Sequence, residues 1–99
     1  MRIYIAGPIT GVPDYMDRFM DAEVSLYKRF GENTEVFNPA RISEQLPPLK
    51  HEEYMRLCFE MIQMADVVFF LRGFQKSFGE AQECGYALAK KMKIMYEGE

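Results

Sequence analysis

Alternating strand-like and helix-like segments along 99 residues predict an α/β domain. The expected form is a minimal flavodoxin-like or Rossmann-like three-layer fold with a parallel four-stranded sheet. Three observations carry this expectation. Short β-branched or aromatic runs alternate with helical patterns in the order β-α-β-α-β-α-β. After Asp66, the run Val67-Val68-Phe69-Phe70-Leu71 is continuously apolar, as a central parallel strand covered on both faces requires. Turn signals such as Gly7-Pro8 and Asn38-Pro39 close the strands at one edge of such a sheet, where ligands bind in open α/β folds.

The first strand is Arg2–Ala6, short and apolar, stopped by Gly7-Pro8. A loop follows to Pro13, and Asp14 stands where an N-cap would begin a helix at Tyr15. Tyr15, Phe19, Ala22, Leu26 and Phe30 recur at helical spacing before Gly31 ends the pattern. Glu35-Val36-Phe37 reads as a second strand. From Arg41 to Leu49 no period is visible and Pro47-Pro48 interrupts, so this is the longest irregular stretch. A second helix is expected from Lys50 to Ala65 with Tyr54, Leu57, Cys58, Met61, Ile62 and Ala65 as its stripe. A third runs from Gly79 to about Met92 with Ala81, Cys84, Leu88 and Met92 inward, and Lys93 to Tyr96 is a final strand.

Composition narrows the function classes. The chain is 48 % hydrophobic and 27 % charged with a net charge of −3, which gives a core and argues against coating nucleic acid or an anionic membrane. No apolar run approaches the ~18 residues of a membrane helix, and the start lacks a signal-peptide layout. A single domain over residues 1–99, soluble and cytoplasmic, is the expectation. Its small size and the apolar Met16, Met20, Val24 and Tyr27 on the first helix suggest a homodimer. Cys58 and Cys84 read as small buried hydrophobes. A single histidine excludes His–Cys metal clusters, and His51-Glu52-Glu53 reads as a solvated helix start. Neither a metal nor a cofactor is called for.

Two segments could carry chemistry. The glycines of Gly7-Pro8-Ile9-Thr10-Gly11 allow backbone N–H groups to approach an anion, and Thr10 adds a hydroxyl. The same spacing also suits an ordinary tight turn, and it is neither G-x-G-x-x-G nor a Walker loop. In Ser77-Phe78-Gly79-Glu80-Ala81-Gln82-Glu83, Ser77 and Glu80 match a capping box. Alternatively Ser77 and Gly79 hold a phosphate, and Glu83 one turn on faces what the phosphate is attached to. In the first case Glu83 is a solvated carboxylate favoured by the helix dipole.

Taken in order, Tyr4-Ile5-Ala6-Gly7-Pro8-Ile9-Thr10-Gly11, Phe37-Asn38-Pro39-Ala40, Ala65-Asp66-Val67-Val68 and Ser77-x-Gly79-x-x-x-Glu83 span nearly the whole chain. This set resembles the nucleoside 2-deoxyribosyltransferase-like superfamily, which includes deoxyribonucleoside-monophosphate N-glycosidases. The resemblance implies a nucleoside or nucleotide as small-molecule ligand and Glu83 as nucleophile on C1′ of the deoxyribose. It makes Tyr4 the residue that orients the carboxylate and lays Gly7–Gly11 along the nucleotide. Ser77, where transferases of free nucleosides carry aspartate, points to a 5′-monophosphate, because a hydroxyl donates where an aspartate repels. The pattern departs at Cys58, which stands where active members place an aspartate eight residues before Asp66. Glu80 adds a negative charge beside the expected phosphate site, and the sequence ends at Glu99 without the C-terminal segment by which active relatives complete a neighbour's pocket. A non-catalytic nucleotide or nucleotide-sugar sensor and a small partner-binding protein remain the alternatives.

Overall fold

The structure, a computed structural model, describes residues 1–9, 11–74 and 78–98, with Phe78 and Glu80 described by their backbone alone. Its elements are β1 (Arg2–Ala6), α1 (Tyr15–Phe30), β2 (Glu35–Phe37), α2 (Pro39–Glu44), α3 (His51–Met64), β3 (Val67–Phe70), α4 (Phe78–Ala89) and β4 (Lys93–Tyr96). The strands form one parallel sheet in the order β2-β1-β3-β4. The expected α/β fold with four parallel strands is therefore the observed one.

Alternation along the strands divides the core. Ile3 and Ile5 of β1, with Val67 and Phe69 of β3, pack against Phe19, Ala22 and Leu26 of α1 and Ala40 of α2. Tyr4, Ala6, Val68 and Phe70 face the other way, against Cys58, Met61 and Ile62 of α3 and Ala87 of α4. These are the three layers. β1 and β3 are neighbours, yet the helices that follow them lie on opposite faces, so their carboxyl ends flank the switch point where such sheets open a crevice. The register is held at the other end by Asp66, whose Oδ2 accepts the Arg2 N–H at 2.8 Å.

Several local expectations change. Residues 39–44, expected to lie in or beside irregular chain, form α2, because Asn38 caps them: its side-chain oxygen accepts from the N–H groups of Ala40 and Arg41. Pro39 occupies the first turn, where its missing N–H costs nothing. Asn-Pro was thus a helix start as well as a strand end, hidden because six residues show no period. Asp14 precedes α1 without a side-chain cap bond. Phe30 and Leu57 are exposed rather than part of the helix stripes. On α4 the inward residues are Glu83 and Ala87, whereas Ala81 is exposed and Leu88 is 60 % exposed. The apolar periodicity there pointed about a quarter turn away from the true inner face, since that face carries a carboxylate.

Gly7 is required by packing. A Cβ at this position would stand 2.5 Å from Leu71 Cδ1 and 3.0 Å from Phe19 Cζ, both in the buried core. We expect Gly7→Ala to lower stability by ~1–3 kcal/mol through overpacking, read as a lower urea midpoint. An unchanged midpoint would mean that Leu71 moves aside freely. Among the described residues no helix is long and apolar enough to cross a membrane.

Candidate functional site

Beyond the carboxyl end of β1 the structure opens a cavity of about 540 Å³. β1 contributes Tyr4, the loop after it Gly7 and Ile9, and α2 Pro39 and Ser43. The α2–α3 connection supplies Leu46, Pro47, Pro48 and Leu49; α3 supplies His51, Tyr54 and Met55; α4 supplies Gly79 and Glu83. Glu83 and Gly79 lie four residues apart, so both project from one face of α4 into the same space.

Glu83 is 4 % exposed, which ends its reading as a solvated helix-end charge. The Tyr4 hydroxyl donates to its Oε1 at 2.7 Å across 79 residues of sequence. Tyr4 is itself wholly buried, and its aim follows from strand alternation, which turns it toward α3 and α4 while Ile3 and Ile5 turn away. Cys58, fully buried on α3, stands within hydrogen-bonding reach of Tyr4, Tyr54 and Glu83. The eight-residue count back from Asp66 therefore does bring Cys58 beside the carboxylate. Cys58 stays behind the cavity wall, whereas Tyr54, one turn earlier, is part of that wall.

Burial governs the electrostatics of this group. It pushes the Glu83 carboxyl up from 4.5 to about 7, with the hydrogen bonds from Tyr4 and Cys58 pulling the other way. The start of α4 was expected to favour the ionised form, but loss of water outweighs it. Burial, then the Glu83 charge, pushes the Cys58 thiol up to about 12. The Tyr4 phenol is raised well above its ordinary value by burial and by Glu83, and Tyr54 is raised by burial first. Both phenols thus remain neutral O–H donors in the working range.

Of the loop expected to lie along a nucleotide, Gly7 and Ile9 reach the cavity wall. Pro8 is buried and Gly11 is exposed, and neither is part of that wall. Thr10 and Ser77 lie outside the described residues, as does the Ser77–Glu80 capping box, since of Glu80 the backbone alone is described. Sequence reasoning passed over Ser43, Leu46–Leu49, His51, Tyr54 and Met55. Their stretch lacks a helical period until α3 begins, and a wall built of a proline-rich connection leaves no motif. Among the described residues no group of three or more His, Cys, Asp and Glu side chains is placed to hold a metal.

The family profile described as Domain of unknown function (DUF4406) matches residues 1–96. No curated protein matches the chain by sequence. Among solved structures, a 2-deoxyribosyltransferase from Bacillus psychrosaccharolyticus, described as a biocatalyst for nucleoside synthesis, superposes with a TM-score of 0.72 at 23 % identity. That match covers 100 % of this chain and 75 % of the other. A 2-deoxyribosyltransferase from Leishmania mexicana superposes with a TM-score of 0.71 at 22 % identity, over 96 % of this chain and 62 % of its own length. The fold is shared with these transferases, and this chain spans less than two thirds of the second.

Proposed function

Because this chain belongs to the DUF4406 family and has the fold of 2-deoxyribosyltransferases, we propose that it binds a nucleoside or deoxynucleoside 5′-monophosphate and cleaves or transfers its N-glycosidic bond. The observation that carries this reading is the 2.7 Å hydrogen bond from Tyr4 to the buried Glu83 carboxylate at the wall of the cavity. A carboxylate fixed in this way can serve as a retaining-type nucleophile. Its Oε2 attacks C1′ of the sugar as the C1′–N bond to the base breaks and its electron pair leaves with the base. Water or a second base then displaces the sugar from the glycosyl ester, regenerating the carboxylate. Tyr4 holds Oε1 and so turns the other oxygen toward the sugar.

In this reading Gly7 and Ile9 contact the ligand, with Pro8, Thr10 and Gly11 shaping the same loop, and Ser77 and Gly79 hold the 5′-phosphate. The apolar Pro39 and Leu46–Leu49 suit a flat heterocycle, which needs apolar area more than charge. A homodimer in the cytoplasm is part of the same proposal. The test is a thermal-shift screen of nucleosides, deoxynucleotides and nucleotide sugars, followed by assay of free base from each binder. Tyr4→Phe should retain binding and slow base release by about 10–100-fold, the cost of losing one orienting hydrogen bond. A Phe variant as fast as wild type would remove Tyr4 from the mechanism.

One observation favours a second reading. Cys58 beside Glu83 has no carboxyl group with which to assist the leaving base, so the site also fits a nucleotide sensor that binds without cleaving. A ligand that raises the melting temperature and never releases base would establish that alternative.

A further inference from the structure

The charges of the cavity wall are few. Among the described residues it contains one acid, Glu83, and one side chain able to carry positive charge, His51. The other polar side chains of the wall are already engaged or neutral. Tyr4 donates to Glu83, the Ser43 hydroxyl donates to the Ala40 carbonyl at 2.9 Å, and the Tyr54 phenol sits with Cys58. His51 makes no hydrogen bond or ion pair among the described residues.

Its position is equally informative. His51 opens α3, and its ring carbon Cε1 stands 3.9 Å from where a Cβ on Gly79 would be. Gly79 precedes Glu83 by four residues on α4, which is ~6 Å along the helix. His51 therefore lines the cavity beside the Gly79 end of this face of α4, about one helical turn along it from the carboxylate. A nucleoside monophosphate has the same layout. Its reacting carbon, C1′, and the carbon that carries its phosphate arm, C4′, flank the ring oxygen, so the phosphate stands a short arm's length from C1′.

A second anion placed in the same cavity as Glu83 is repelled, and a ligand bearing one gains from a counter-charge at its far end. We infer that His51 is the specificity-determining residue of this cavity, recognising the phosphate monoester of a nucleoside 5′-monophosphate by a charge-assisted hydrogen bond. The inference rests on the nucleotide reading above and adds a residue to which neither the motifs nor the resemblance gave a role. His51 was expected to be a solvated helix start. It is exposed, and it lines the cavity beside the proline-rich connection that precedes it.

The test compares dissociation constants of the full chain for 2′-deoxyadenosine and for its 5′-monophosphate, with free base assayed in parallel. Wild type should bind the monophosphate at least about tenfold more tightly. His51→Ala should lose that preference while its affinity for the nucleoside stays within about twofold. His51→Phe, which keeps a ring in the wall, should lose it equally, and His51→Lys should retain it. Preference kept by His51→Phe, or both ligands weakened alike, overturns the assignment. So does a wild type that binds and cleaves the nucleoside without preferring the monophosphate, an outcome that leaves the glycosidic reading standing. A preference that depends on His51 in a protein that releases no base upholds the inference and removes the catalytic step. If neither compound binds, both fall.

Discussion

Replacing Glu83 by glutamine is expected to abolish base release while leaving the fold and ligand affinity intact. The amide oxygen can still accept the Tyr4 hydroxyl that now donates to Oε1 at 2.7 Å, so the packing between β1 and α4 has no reason to change. The amide cannot form a glycosyl ester, and the nucleophilic route is closed. Loss of a covalent nucleophile in such sites costs at least ~10³-fold in rate, about 4 kcal/mol of barrier. Ligand affinity should be equal or higher, since a negative charge has left the cavity. Single-turnover assay of free base from a deoxynucleoside 5′-monophosphate checks this directly. Release at the wild-type rate would exclude Glu83 as nucleophile.

The same side chain makes stability depend on pH in an unusual direction. Its carboxyl is held at about 7 in the folded protein against an ordinary 4.5. Below 4.5 it is protonated in both states, and its contribution to stability is at its fullest. Between 4.5 and 7 the unfolded chain releases the proton and the folded chain retains it, so stability falls as pH rises. Above about 7 the folded state carries a buried charge, and the accumulated loss is ~3 kcal/mol, at about 1.4 kcal/mol per pH unit. Urea denaturation of wild type and Glu83→Gln at pH 4, 6 and 8 isolates this group from the other carboxylates. The two proteins should match at pH 4, with the variant more stable by up to ~3 kcal/mol at pH 8. A constant difference across the range would contradict the burial-driven shift. Base release by wild type should climb over the same interval, because the attacking form is the ionised one.

Much of this architecture was legible in the residues. The continuous apolar run Val67–Leu71 could hardly be anything but a central strand, and β1 announces itself by its stop at Gly7-Pro8. The short α2 was not legible, because Asn38-Pro39 serves two elements at once. On α4, periodicity misled for a physical reason. A hydrophobic pattern finds the face that packs, and here the inward face contains Glu83, whose burial is only partly offset by its hydrogen-bond partners. The pairing of Tyr4 with Glu83 was implied by the family resemblance that the motifs carry, since nothing local to either segment reveals the other. The wall from Leu46 to Met55 gave no signal, because a proline-rich connection is shaped by the elements it joins.

That pairing has a consequence for assembly. Tyr4 belongs to the first strand and Glu83 to the last helix, and their hydrogen bond closes a loop of 79 residues. β1 must also wait for β3, whose Val68 pairs with Tyr4, before it is flanked on both sides. Contacts of such range form late and slowly. On a ribosome, the amino-terminal strand emerges long before the helix that completes the site. A nascent or truncated chain that stops short of α4 can bury part of the core, but it holds no positioned carboxylate. The pairing that fixes the carboxylate at this cavity is thus absent until the chain has been made and folded as far as α4.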